Sequence, residues 1–184
     1  MILTNSQLES NGIVIHDAIP MTRHPITGVS AGWNSLGYDF RMSNEWAIAY
    51  TENKESVAAG PKDNTIIQID DFKMDKVLLK PGEHVISRLL ETISMPAWVK
   101  AYPQQKTTWT RIGIQALCGP FDPGYKGAIT ISIVNLGPIP VLLYAGDGIA
   151  HYVFWGFEDE VQQYNGDYQH STAIFAGGTH VLAS

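Results

Sequence analysis

The stretch Gly119-Pro-Phe-Asp-Pro-Gly-Tyr-Lys-Gly-Ala-Ile-Thr-Ile-Ser-Ile-Val-Asn-Leu-Gly137 places a tight bend directly in front of a strand. Pro123 fixes its own φ, Gly124 and Gly127 permit positive φ, and the Asp122 side chain can hydrogen-bond the neighbouring backbone. Beyond the bend, Ile129, Ile131 and Ile133 alternate with Thr130, Ser132 and Val134, the period of a strand buried on one face. A carboxylate (Asp122) and an aromatic (Tyr125) therefore stand on a bend anchored by a buried strand. Rigid scaffolds present ligand-handling groups in this way. The alternative is an ordinary hairpin whose aspartate does no more than form the turn.

The same grammar repeats along the chain. Thr4 to Gly12 opens with capping residues and ends in Asn-Gly, which predicts a short N-terminal helix. Strands are expected at Ile13–Ile15, Tyr38–Met42, Trp46–Tyr50, Thr65–Ile69, Val77–Leu79, Glu83–Ser87, Leu89–Ile93, Trp98–Tyr102, Trp109–Leu117, Ile139–Tyr144 and Ile149–Phe157. Residues 20–37, with two prolines and three glycines, read as loop, and residues 51–64 as a polar excursion around Gly60-Pro61. No long helical periodicity intervenes. Short strands at regular spacing with Gly/Pro turns predict an all-β barrel or sandwich, organised as one domain over residues 1–184. From Gln162 the chain turns polar and aromatic-dotted. It is either a frayed tail or a flap, and Tyr164, Tyr168 and Phe175 favour a segment that docks.

Charge and cysteine content narrow the function. Twelve Lys and Arg against eighteen Asp and Glu give a net charge of −6, which argues against nucleic-acid binding. No apolar run nears bilayer-spanning length, and Met1-Ile-Leu-Thr-Asn-Ser6 lacks a basic flank and a cleavage site. The expectation is a cytoplasmic protein with no membrane partner. The single Cys118 excludes an internal disulfide and a cysteine-based zinc site, and the six histidines show no ligand-pair spacing. Cys118 reads as a small packed side chain, Glu158-Asp-Glu160 as a solvated turn, and the tryptophans as core or interface aromatics.

The other chemically suggestive segment is Lys106-Thr-Thr-Trp-Thr-Arg-Ile-Gly113. Two cations bracketing three hydroxyls suit phosphate oxygens, because each supplies hydrogen-bond donors; a solvated strand edge is the alternative. With the Asp-bearing turn, this segment would meet the needs of a nucleotide triphosphate site.

These residues carry a family resemblance. Ser35-Leu-Gly-Tyr-Asp-Phe40, Leu79-Lys-Pro-Gly-Glu83, Glu91-Thr-Ile-Ser-Met-Pro96, Lys106 to Ile114, Phe121-Asp-Pro-Gly-Tyr-Lys-Gly127, Tyr144-Ala-Gly-Asp-Gly-Ile-Ala150 and Tyr164 to Gln169 follow one another as in the dCTP deaminase/dUTPase superfamily. The chain resembles the deaminase branch more. The resemblance implies an all-β distorted β-barrel or jelly-roll subunit, a homotrimer with sites between subunits, and a deoxypyrimidine nucleoside triphosphate as ligand. It implies Mg2+ held through the phosphates and water rather than by protein side chains. Lys106, Thr107, Thr108 and Arg111 would hold phosphates, with Arg111 also counted with Asp122 as catalytic, and Asp122 would orient a water. Tyr125 would lie under the deoxyribose, and the backbone of 122–130 would read the base. Thr130 and Ser132, with Tyr164, Tyr168 and Gln169 from the flap (162–184), complete the expected substrate-binding set. Asp39 either stands near the metal's water shell or braces backbone.

Departures from the family pattern decide the expected chemistry. The deaminase branch uses a glutamate where this chain has Ser132. Deamination needs a group that takes a proton from water and returns it to ammonia, and loss of a general base typically costs about 10²–10⁴-fold. Hydrolysis of the triphosphate asks only for a positioned water, cations and magnesium. The flap's Lys-Tyr is Asp167-Tyr168 here, a Gln is His151, and a Gly-Gln is His170-Ser171. The first expectation is therefore Mg-dependent hydrolysis of dUTP, or a related deoxynucleotide, to the monophosphate and pyrophosphate. The alternatives are dCTP deamination, a non-catalytic nucleotide-binding regulator of the same fold, and an unrelated β-sandwich binding module.

Overall fold

A computed structural model describes residues 1–50, 68–176 and 179–180. The expected excursion at 51–64, residues 65–67 of the strand expected at Thr65–Ile69, and 177–178 and 181–184 of the expected flap lie outside the described residues.

The elements in chain order are α1 (Asn5–Ser10), β1 (Val14–His16), β2 (Thr22–Arg23), β3 (Ser30–Trp33), β4 (Tyr38–Tyr50), β5 (Gln68–Lys73), β6 (Lys76–Leu79), β7 (His84–Leu89), β8 (Thr92–Ser94) and β9 (Val99–Gln105). They continue with α2 (Thr107–Thr110), β10 (Ile114–Cys118), β11 (Lys126–Gly127), β12 (Thr130–Asn135), β13 (Val141–Tyr144), β14 (Gly148–Gly156), β15 (Phe175–Ala176) and β16 (Thr179–His180). The expected all-β class with a short N-terminal helix holds; α1 starts where the Thr4 amide donates to Gln7 Oε1 at 2.9 Å.

The main sheet runs β10-β12-β7-β4-β14-β9, with β3 and β5 also on β4 and β2 on β3. Its two end strands approach each other. The Gln105 side chain of β9 donates to the Ala116 carbonyl of β10 and accepts from the Ala116 amide at 3.2 Å. One side-chain amide thus supplies the rungs that the backbone lacks there, and the sheet curls into a distorted barrel. A smaller sheet, β1-β8-β11, and the β13-β6 pair complete the wall.

Five expectations change in detail. Tyr38–Met42 and Trp46–Tyr50 are one strand, β4, whose register against β7 shifts between Met42 and Trp46. That irregularity re-aims the strand, so its first half pairs with β14 and its second with β5. The 20–37 loop contains β2 and β3. Leu89–Ile93 is interrupted, because Leu90 and Glu91 leave the ladder and the Glu91 carboxylate turns inward to Arg41. Trp109 sits not on a strand but on α2, with its indole N–H donating to Gly148 O at 2.8 Å. The bend of 119–137 is not a closed two-stranded hairpin: β12 pairs with β10, while β11 leaves to pair with β8.

The core is aromatic where it meets this bend. Phe40 packs on Tyr38, Phe121 and Tyr152, and the chain of rings continues from Phe121 to Tyr125 and from Tyr125 to Tyr164. Such contacts add about 0.5–1.5 kcal/mol per pair beyond area burial. They tie the bend to the barrel interior.

Candidate functional site

The bend is built as its sequence dictates. The Tyr125 amide donates to Asp122 O at 3.0 Å, closing a four-residue turn, and Gly124 takes φ 76°. Tyr125 is buried, and its hydroxyl donates to Ala128 O at 2.6 Å. Burial pushes its phenol well above the ordinary tyrosine range, so it is a neutral wall and a hydrogen-bond donor, not an acid–base group.

The tail closes over this turn. Tyr164 N donates to Pro123 O at 2.8 Å, His170 N to Lys126 O at 2.7 Å, and Ala128 N to Ser171 O at 2.8 Å. The Gln169 amide accepts from Lys126 N at 2.8 Å and donates to Gly124 O at 2.9 Å. A side chain at Gly127, which takes φ 138°, would bring its Cβ to 2.6 Å from Ser171 O, so only glycine lets the tail lie this close.

Between turn, tail and β12 lies a cavity of about 480 Å³. Asp122, Tyr125, Thr130, Ser132, Tyr164 and Tyr168 line it, and Gly119, Ala128 and Ser171 add backbone and small side chains. Six of the expected site residues thus meet around one space, and Gln169 holds the lid without lining it. Thr130 and Ser132 project from the half-buried face of β12.

The expected phosphate segment is elsewhere. Lys106, Thr107, Thr108 and Arg111 do not line this cavity. Lys106 is buried: its ammonium is ion-paired with Asp39 Oδ2 and donates to Ser30 O at 3.0 Å and Ser30 Oγ at 3.1 Å. It is a structural cation in this chain, not an open phosphate ligand. Thr107, Thr108 and Arg111 are exposed on and just after α2.

Asp39 is buried too, and its second oxygen, Oδ1, lies 2.8 Å from His151 Nδ1. Burial pushes its carboxyl up, but hydrogen bonds from His151 and Lys106, with the charge on Lys106, outweigh it and leave the group below the usual carboxylate range. With both oxygens engaged, Asp39 braces the interior. Among the described residues no group of three or more His, Cys, Asp or Glu could hold a metal ion. No helix among them is long and apolar enough to cross a membrane. Burial raises the Cys118 thiol pKa, as suits a packed side chain.

One partner of Asp122 escaped the sequence reading. Lys100 Nζ stands 2.8 Å from Asp122 Oδ1. A lone lysine within an expected strand carries no signal of its own; only the register of β9 against Phe121 brings it there.

With this geometry in hand, known proteins are informative. A dCTP deaminase-like family model matches residues 10–157. The chain belongs to the dCTP deaminase-like family. A family relative, the dCTP deaminase of Sulfurovum sp. (strain NBC37-1), is 37% identical over 150 residues, 79% of each chain. Among solved structures, the 2'-deoxycytidine 5'-triphosphate deaminase from Agrobacterium tumefaciens superposes with a TM-score of 0.61 at 16% identity, over 83% of this chain and 47% of that one. The dUTPase from phage phi11 of S. aureus gives 0.47 at 16% identity, over 85% and 97%. The fold is the jelly-roll barrel of this family.

Proposed function

We propose that this protein acts on dCTP, converting it with water to dUTP and ammonia in the cavity under the Asp122–Tyr125 turn. What carries the reading is membership of the dCTP deaminase-like family, with curated relatives at 35–39% identity that bear that name. This moves the weight from dUTP hydrolysis, the first expectation from sequence, to what had been its alternative. The cavity's volume falls within the roughly 300–1,000 Å³ of small-molecule sites. Tyr125 would lie against the deoxyribose, the backbone of 122–130 and the Thr130 and Ser132 side chains would meet the base, and Tyr164 and Tyr168 would close the space.

Deamination needs a proton acceptor, and a serine hydroxyl has no basicity near neutral pH. Asp122 is the carboxylate that lines the cavity. We assign it the water: the carboxylate takes a proton as the oxygen attacks C4 and returns it to the departing amine. Magnesium would arrive on the triphosphate and neutralise its charge there. Assembly into a homotrimer would let Thr107, Thr108 and Arg111 of one copy meet the phosphates bound by another.

Ser132 favours a second reading. Without a carboxylate on β12, Asp122 orienting a water toward the α-phosphate gives hydrolysis to the monophosphate and pyrophosphate. The deciding experiment offers dCTP and dUTP separately with magnesium and follows ammonia, pyrophosphate and nucleotides by chromatography. Ammonia and dUTP from dCTP are expected. Pyrophosphate without ammonia would replace deamination by hydrolysis, and binding without either product would make the protein a nucleotide-binding regulator.

A further inference from the structure

Asp122 stands on the wall shared by two cavities. The one described above lies on one side; on the other is a second, also about 480 Å³, lined by Lys100, Tyr102, Pro123, Phe157 and Tyr164. A carboxylate at such a rim, with its side chain 36% exposed, has room to swing between them. What restrains it is Lys100.

The contact is written into the backbone. Ala101 of β9 exchanges two hydrogen bonds with Phe121, N to O and O to N, both 2.9 Å, as an isolated antiparallel bridge. In an antiparallel pair, the residue before one partner lies opposite the residue after the other. Lys100 and Asp122 are therefore cross-strand neighbours by register, not two long side chains that happen to meet. The lysine stem is steadied from its own strand, with the ammonium 5.4 Å from the centre of the Tyr102 ring. The Asp122 carboxylate beside Lys100 holds its ammonium above the ordinary lysine range.

A half-exposed ion pair contributes little to stability, so stability gives poor reason for this arrangement. We infer that Lys100 is the positioning residue for Asp122, holding the carboxylate in one orientation at the cavity wall. This rests on Asp122 acting on a nucleotide in that cavity, and serves either reaction, since both begin with a charged, aimed carboxylate. Among the described residues that line the two cavities, Lys100 and Asp122 are the charged side chains; the remaining ionisable groups are the phenols of Tyr102, Tyr125, Tyr164 and Tyr168.

The test compares wild-type protein with Lys100→Met and Lys100→Arg. Steady-state turnover of dCTP and dUTP is measured, and the χ1 rotamer of the Asp122 side chain is read from three-bond NMR couplings. In Lys100→Met, kcat should fall by roughly 10-fold or more, as misaimed catalytic groups do, with KM little changed. The Asp122 couplings should change from those of one staggered rotamer to averaged values. Lys100→Arg should restore most of both. Unaveraged Asp122 couplings in Lys100→Met would overturn the inference whether or not the protein turns over either nucleotide. A protein inactive on both, yet with the couplings averaged in Lys100→Met, would instead remove the proposed function and leave the positioning by Lys100 standing.

Discussion

Ser132 is where a single side chain bears most on the chemistry. It lies half-buried on β12 between the buried Ile131 and Ile133, with its hydroxyl side toward the cavity. β12 is clamped on both edges, by β10 through Leu117 opposite Ser132 and by β7 through Ile86, so a longer side chain at 132 would extend into the cavity rather than displace the strand. Ser132→Glu should therefore present a carboxylate to the base, and in an Asp122→Asn background, where the assigned base is gone, it should raise ammonia release from dCTP by about 10²-fold, the low end of what a general base contributes. A coupled ammonia assay measures it, and an unchanged rate would mean that the carboxylate is not presented to the cytosine. The residues around this position were legible from sequence because they belong to one contiguous turn and strand, from Asp122 to Ser132. Lys100 was not, since its meaning depends on a cross-strand register that no local pattern encodes. Lys106 misled for a related reason: a cation flanked by hydroxyls looks the same whether it faces solvent or, as here, a buried aspartate 67 positions earlier in the sequence.

At the scale of elements, the tail and the turn behave as one unit. Gln169 joins them most directly, through Lys126 N and Gly124 O. Gln169→Ala removes both links, along with a longer bond to Tyr164 O at 3.3 Å, and about 1–2 kcal/mol of local stability. The amides of Lys126 and Ala128 should then exchange faster with deuterium, while the barrel strands keep their protection. Unchanged exchange at Lys126 would show that the backbone bonds from His170 and Ser171 suffice. Most strands were visible in the sequence as short alternating runs between Gly/Pro turns, and the docking of the tail was suggested by its tyrosines. The joining of two expected strands into β4 was not visible. Neither was the helical turn α2, four residues too short to show a helical period, nor the two-residue strand β2, whose Thr22–Arg23 is exposed throughout.

For the whole molecule, the buried charges set the response to pH. Asp39 sits among Lys106, His151 and Ser30, and its carboxyl is held below the usual range. The folded state therefore binds fewer protons at Asp39 than the unfolded chain does between the lowered value and about 4. Its stabilising contribution is complete above that window and is lost as pH falls through it. Asp147 works in the opposite sense. It is fully buried, accepts a short bond from Thr27, faces His24 at 3.7 Å, and has one oxygen without a protein partner among the described residues. Burial raises its carboxyl, so the folded protein loses stability as pH rises above the ordinary carboxylate value, where the unfolded chain gives up the proton first. Two variants separate these effects. Asp39→Asn leaves Lys106 buried without its counter-charge and should cost about 3 kcal/mol at pH 7, as broken buried pairs do, with the deficit shrinking below about pH 4. Asp147→Asn should do the reverse, matching wild type most closely in acid and gaining on it as the pH rises to neutrality. Urea unfolding at a series of pH values would resolve both slopes. An Asp39→Asn deficit that stayed constant into acid would mean that the Asp39 carboxylate is not the charge that Lys106 depends on.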